Sequence, residues 1–278
     1  MATPEAPLRE ILKSISFTRF PLYHIEPFFV PETIERPQLF VYRPLNQTPQ
    51  GLPTSDVECL RVLALLKFSN YEFDLKYTHE PNMSPNEQLP FLLLPSGLAI
   101  DNQHIEEHLA QRQEEKEGKE GGGNNELAYY ELARHNLVPA VEYLVWVDRV
   151  GFEAMGVQGY LKHYSAVARC WLGWSRAAGV AEKLQTGLPE YGAALDGEVV
   201  CENALRALDS LLVLLGDRKF FSAGDKPSSL DALVFACLNA FLESPVKSPV
   251  RTALTRVDSK YKPLVDFALR ISEAYFPR

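Results

Sequence analysis

His104, Glu107 and His108 stand in the order His-x-x-Glu-His. This spacing lets two imidazoles one helical turn apart face a single zinc ion while the Glu acts as base. No third ligand can be identified, and Glu106 and Glu107 run on into the charged residues 111–117. A solvated helix face accounts for the same letters, so no metal is expected. Cys59, Cys170, Cys201 and Cys237 lie far apart, without the Cys-x-x-Cys pair of a zinc site or a redox dithiol. Three of them sit in apolar helical stretches, where a thiol behaves as a small hydrophobe, and the set reads as that of a reducing compartment. Trp171 and Trp174, with Tyr160, Leu161 and Tyr164, recur at helical spacing. They are expected in a helix–helix core, as are Tyr143 and Trp146. None of these sets makes a catalytic, cofactor-binding or metal site, and no cofactor is expected.

The elements that position these residues are easiest to read around Ser228 and Asp231. Ser228 can accept from the Asp231 amide while the Asp231 carboxylate reaches back to the Ser228 amide, and Gly224 and Pro227 mark the turn before them. Behind the cap, Leu230, Leu233, Val234, Phe235, Cys237, Leu238 and Phe241 leave no polar face. A helix apolar on all sides is buried on all sides, so residues 229–243 are expected at the centre of a domain.

Upstream, residues 38–43 and 72–77 have strand character, 91–94 form a short buried strand and 98–100 another. Residues 59–68 have helical spacing, and Asp101 caps a helix through Gln113. Strand, helix, strand, strand, strand, helix is the order of a thioredoxin-like unit. Residues 114–126 carry charge and glycine without an apolar core position and read as a linker. Beyond it lie five helical stretches, 127–150, 160–184, 199–215, 229–243 and 260–275. The expected domains are therefore an extended arm over 1–36, a thioredoxin-like domain over 37–113, the linker over 114–126 and an all-helical domain over 127–278.

The arm holds Phe17, Phe20, Tyr23, Phe28 and Phe29 among many prolines, with neither a two-residue nor a 3.6-residue period. Such aromatics either anchor a partner or pack the arm onto its own chain. At 278 residues and 46% hydrophobic, the chain can bury a large core. Its formal net charge of -8 argues against nucleic acid, which needs a basic face. No run approaches the roughly 18 apolar residues of a bilayer span. Residues 1–10 are acidic and proline-containing, unlike a secretory signal or a matrix presequence.

Ser228-x-x-Asp231 opening a buried helix in the second half of a chain resembles the helical domain of glutathione-transferase-like proteins. The string Pro227, Ser228, Ser229, Leu230, Asp231, Ala232, Leu233, Val234, Phe235 resembles more narrowly the metaxin family of the mitochondrial sorting and assembly machinery. Met83, Ser84, Pro85, Leu89, Pro90 and Phe91 are similar to that family's approach to its third strand. Tyr129, Glu142, Tyr143, Trp146 and Asp148 are similar to a long helix, and Tyr261, Phe267, Arg270 and Tyr275 to its last one. The resemblance covers roughly residues 38–278. It implies an α/β plus all-α, glutathione-transferase-like fold, with Pro90, Ser228 and Asp231 defining it and Leu89–Pro90 cis.

The resemblance also implies a non-enzymatic peripheral subunit on the cytosolic face of the mitochondrial outer membrane. Its partners would be the β-barrel insertase, a second metaxin-like subunit and β-barrel precursors, whose C-terminal sorting signal it helps receive. Membrane contact would come through those partners and not by a transmembrane helix. The chain stops at Tyr275, Phe276, Pro277 and Arg278 without a hydrophobic tail, which resembles the anchorless, metaxin-two-like type in a fungal form. In the transferases the thiol-activating hydroxyl or thiol lies at the end of the first strand or the start of the first helix. Tyr42, Thr54 and Ser55 are the nearest hydroxyls here, and Asp101–Asn102 stands where the transferases hold an acid–Ser pair. Two alternatives remain open, a glutathione-dependent transferase and a scaffold of the same fold in another complex.

Overall fold

Leu39, Phe40 and Val41 are apolar in succession, as a strand covered on both faces requires. They form β1 (Gln38–Tyr42) at the interior of a four-stranded sheet. The structure is a computed structural model describing residues 34–44, 51–117, 124–187, 196–222, 224 and 226–277. Residues 35–278 group into one unit and residues 1–34 into another. Beside β1 lie β2 (Asp74–Thr78), β3 (Phe91–Leu93) and β4 (Ala99–Asp101), in the order β2-β1-β3-β4. β1 runs parallel to β2 and antiparallel to β3, and β3 runs antiparallel to β4. The register sets Phe40 opposite Phe91, and their rings stack 4.6 Å apart. Leu89–Pro90, just before β3, is cis.

Between β1 and β2 runs α1 (Val57–Phe68), buried on nearly every side because the sheet covers one face and a helix of the second half the other. Its one buried cation, Arg61, pairs with Glu58 at 2.9 Å and with Glu106 of α2 (Ile105–Glu117), and reaches Tyr130 Oη at 3.4 Å. Tyr130 lies on α3 (Asn124–Trp146), so a single guanidinium ties the sheet unit to the helices that follow. Burying a cation is costly unless it is paired and hydrogen-bonded, and Arg61 has both.

The second half continues through a helical turn at Arg149–Gly151 into a π-helical segment, Phe152–Tyr160. Then come α4 (Ala166–Gly187), α5 (Gly197–Leu215), α6 (Ser229–Glu243), α7 (Pro249–Thr255) and α8 (Lys262–Tyr275). α6 is the hub, packed by α1, α3 and α8. Asp231 is fully buried at its start. It accepts from the Phe221 amide at 2.8 Å and from both the amide and hydroxyl of Ser228 at 2.9 Å. One carboxylate thus caps the helix and fastens the preceding turn.

Several boundaries move. The helix expected to end at Gln113 runs to Glu117, and the next begins at Asn124, so helical backbone enters the expected linker from both sides. The stretch expected as one helix over 160–184 is instead a π-helical segment, a break at 161–165 and α4. α7 was not expected; Ser248 caps it by accepting from Arg251 N at 3.1 Å, with Pro249 at its first position.

Candidate functional site

Where the transferase fold would activate a thiol, at the C-terminal end of β1 and the N-terminus of α1, the chain has built a closed hydrogen-bonded cluster. Asp56 is the N-cap of α1, and its Oδ1 accepts from the Cys59 amide at 2.8 Å. Its Oδ2 accepts from the Tyr160 hydroxyl at 2.8 Å. The carboxylate therefore takes the α1 amide and the Tyr160 proton together. Its own amide donates to Thr54 Oγ1 at 3.3 Å, and Thr54 is buried.

Aromatic rings close over this cluster. Tyr42 meets Tyr160 edge-on with centroids 5.0 Å apart, Trp146 lies 5.3 Å from Tyr160, and the Arg176 guanidinium sits 5.7 Å over Trp146. Burial is the first cause of every pKa shift here. It raises Asp56, opposed by the hydrogen bonds from Cys59 and Tyr160. It also raises the Cys59 thiol and the Tyr160 phenol, with the Asp56 charge adding to both. Tyr42 moves upward for the same reasons. A thiolate or phenolate in this pocket is opposed by desolvation and by the adjacent carboxylate, the reverse of what thiol activation needs. Ser55 reaches the Glu243 side chain at the end of α6, whose pKa burial lifts to about 7.

The other sequence-selected residues go elsewhere. Asp101 Oδ1 accepts from the amides of Gln103 and His104 at 3.1 Å and lies 2.6 Å from His104 Nδ1. Burial pushes the Asp101 pKa up, but the hydrogen bonds from His104 and Gln103 together outweigh it and leave it lowered, and the same contact raises that of His104. His108 turns instead to the Tyr71 hydroxyl, 3.3 Å away. The two imidazoles face different partners, and among the described residues no group of three metal-binding side chains assembles. Asn102 is buried and accepts from Asn86 at 2.7 Å. Phe17, Phe20, Tyr23, Phe28 and Phe29 lie outside the described residues.

One expectation is reversed. Trp171 and Trp174 are 64% and 70% exposed, where a helix–helix core was expected. The reason is Gly173, whose missing side chain lets α4 approach the Phe152 ring so closely that a Cβ would lie 2.7 Å from it. With that face seated, the tryptophans on either side of Gly173 point to solvent. Asp56 and Tyr160 were missed as a pair. Asp56 carried a readable signal, an Asp three residues before the apolar run of α1, whereas Tyr160, 104 residues away, carried none.

Residues 59–176 match the family described as outer mitochondrial membrane transport complex protein, and residues 201–271 match the glutathione S-transferase C-terminal domain. A metaxin-1 homolog of Caenorhabditis briggsae is 29% identical over 237 residues, covering 82% of this chain and 71% of that protein. Metaxin-1 of Mus musculus is 26% identical over 236 residues, covering 82% and 73%. Over most of its length the chain is similar to the metaxin family. That family match sets it among outer mitochondrial membrane transport complex proteins. Metaxin-3 of Xenopus laevis is also similar, at 26% over 68% of this chain. The relatives named here are metaxin-1 and metaxin-3 proteins, and the metaxin-two-like type is what the sequence resemblance implies.

Among solved structures, a glutathione S-transferase of Ceriporiopsis subvermispora in complex with glutathione aligns with a TM-score of 0.53 and 14% identity, covering 85% of this chain and 97% of that one. A beta-etherase from Sphingobium aligns at 0.52 and 14%, covering 86% and 95%. These likenesses show a glutathione-transferase-like fold, a small sheet unit followed by an all-helical one.

Proposed function

We propose that this metaxin-like chain is a non-enzymatic, peripheral subunit of an outer-membrane sorting and assembly machinery on the cytosolic face of mitochondria. In this reading it works beside a β-barrel insertase and a second metaxin-like subunit, and helps receive the C-terminal sorting signal of β-barrel precursors. The observation that carries the non-enzymatic part is the Asp56–Tyr160 pair at 2.8 Å, which fills the first-helix N-terminus of a transferase fold with a carboxylate. The transport part rests on the match of residues 59–176 and the likeness to metaxins.

Receiving an extended peptide needs a sheet edge or a groove with alternate pockets. β2 is an edge strand with largely exposed residues and could add a peptide strand. The net charge of -8 favours a signal that carries a basic residue. The arm aromatics Phe17, Phe20, Tyr23, Phe28 and Phe29 are assigned to holding the barrel subunit, and domain limits at 1–36, 37–113, 114–126 and 127–278 are kept as working boundaries for deletion.

The test is affinity purification of the tagged chain from mitochondria, with assembly of a labelled β-barrel precursor followed on native gels after its depletion. Co-purification with the barrel insertase and loss of precursor assembly are expected. Undiminished assembly would end the reading, as would retention on immobilised glutathione with turnover of an electrophile.

A further inference from the structure

On α4, Val167, Trp171, Trp174 and Ala178 recur at intervals of four, three and four residues and so share one helix face. All four are exposed, Val167 at 71%, and the thiol of Cys170 lies exposed beside them. The opposite side holds Gly173 against Phe152 and the buried Leu184, so the exposed face is fixed by packing and not by an unsettled helix. An indole pair bared next to valine is apolar area that water disfavours. Tryptophan is the residue enriched where hydrocarbon meets headgroups.

Charge selects the occupant. Residues 160–181 contain Lys162, Arg169 and Arg176 and neither Asp nor Glu, in a chain of formal net charge -8; Lys162 is the one that counts here, because Arg169 and Arg176 lie on the far side of α4 from the tryptophans, Arg176 over Trp146. Just before α4, the His163 ring stacks on His79 with centroids 3.7 Å apart. The parallel register that pairs Tyr42 with Thr78, carried one residue further, sets Arg43 beside His79, and Arg43 also lies 5.7 Å over the Tyr77 ring. Burial first, then the charges of His163, Arg43 and Lys162, hold the His79 pKa below its usual value. Among the nearby carboxylates, Glu80 acts on Tyr164, Glu142 is paired with Lys183 of α4 at 2.9 Å, and Glu182 lies about two turns beyond Trp174.

We propose that α4 is a lipid-contacting helix: Val167, Trp171 and Trp174 enter the interfacial layer of an anionic phospholipid membrane, and the cluster of Arg43, His79, Lys162 and His163 faces its phosphate headgroups. This adds a direct lipid contact to the partner-mediated one proposed above, and it needs neither a transmembrane helix nor the sorting function to be correct. No helix among the described residues is long and apolar enough to cross a membrane, which suits a helix lying in the interface plane.

The test uses the purified full chain with vesicles of phosphatidylcholine alone or of phosphatidylcholine containing phosphatidylserine. Flotation with the anionic vesicles only is expected, weakening as salt is raised. Binding should shift tryptophan emission to the blue, a change that reports on Trp171 and Trp174 because Trp146 is already buried at 9% exposure. The double variant Trp171→Ala, Trp174→Ala should lower partitioning about ten-fold or more. Lys162→Glu should lower it by about five-fold or more.

Any of several results would overturn the proposal. They are no flotation, equal flotation with neutral vesicles, unchanged flotation of the double variant, or a lipid-free blue shift on concentrating the chain with a doubled mass, which makes the face a self-contact. Loss of a co-purifying polypeptide by the double variant with flotation intact would overturn it in favour of a protein interface.

Discussion

α6 and α4 are both apolar helices of the second half, and the structure treats them in opposite ways. α6 is surrounded by α1, α3 and α8, and even its polar side chains Asp231 and Asn239 are buried: Asp231 accepts three hydrogen bonds, and Asn239 donates to Phe235 O while its Oδ1 has no partner. α4 is seated along one side and displays its two tryptophans on another. Apolar letters therefore do not by themselves say inside. What separates the two is continuity around the circumference: α6 offers no polar arc at all, whereas α4 carries Arg169, Ser175, Arg176 and Lys183 around the rest of its circumference.

The sharpest way to break this contrast is at Phe235, fully buried at the α6 centre and stacked on Phe276 at 5.6 Å. Phe235→Ala should destabilise by about 3–5 kcal/mol, the range for deleting a large ring from a rigid core. Chemical denaturation should show a lower midpoint without a changed slope. A loss under about 1 kcal/mol would mean that α6 is not the hub.

The next largest effect belongs to the site. Asp56→Ala removes a helix cap and leaves the buried Tyr160 hydroxyl without an acceptor, for an expected loss of about 2 kcal/mol. Asp56→Asn should recover part of it, because an amide oxygen can still accept from Cys59 N. If Asp56→Ala instead raised affinity for immobilised glutathione while leaving stability unchanged, the carboxylate would be a gate on a live thiol site and not a permanent filling.

Glu243, at the far end of α6, tests burial by pH. Its Oε1 is buried without a hydrogen-bond partner, and burial lifts its pKa to about 7 from the usual 4.5, with the Ser55 contact opposing. A carboxyl with a raised folded pKa favours the fold in its neutral form. Its contribution is therefore fully present below pH 4.5 and is lost as pH rises through about 7. Glu243→Gln should flatten that fall and raise stability at pH 8 by about 1 kcal/mol, allowing for solvent screening of a partly exposed group. Equal melting curves for the two proteins at pH 5 and pH 8 would remove the effect.

What could be read from letters alone follows the distance over which each feature is decided. The Ser228–Asp231 box is settled within four residues, and the succession strand, helix, strand, strand, strand, helix follows from local pattern, so both were legible. The ends of α2 and α3 moved because charged residues next to glycine keep helical backbone one turn longer than composition suggests. The Asp56–Tyr160 bond joins residues 104 apart through the approach of two halves of the chain, and no local pattern announces that. Trp171 and Trp174 were misread for the same reason. Their spacing fits a core stripe equally well, and only the seating of Gly173 on Phe152 decides which way they point.

The smallest expected effect is the one that separates the two helices most cleanly. Because the rings of Trp171 and Trp174 are mostly in water, Trp171→Ala and Trp174→Ala should each change stability by less than about 0.5 kcal/mol, the range of surface substitutions away from caps and cores. A similar ring deleted from α6 costs several times more. The comparison is made with matched urea titrations of the Phe235 and Trp174 variants. A loss above about 2 kcal/mol at Trp174 would show that its indole packs against the chain in solution, and α4 would then rejoin the core that its letters suggested.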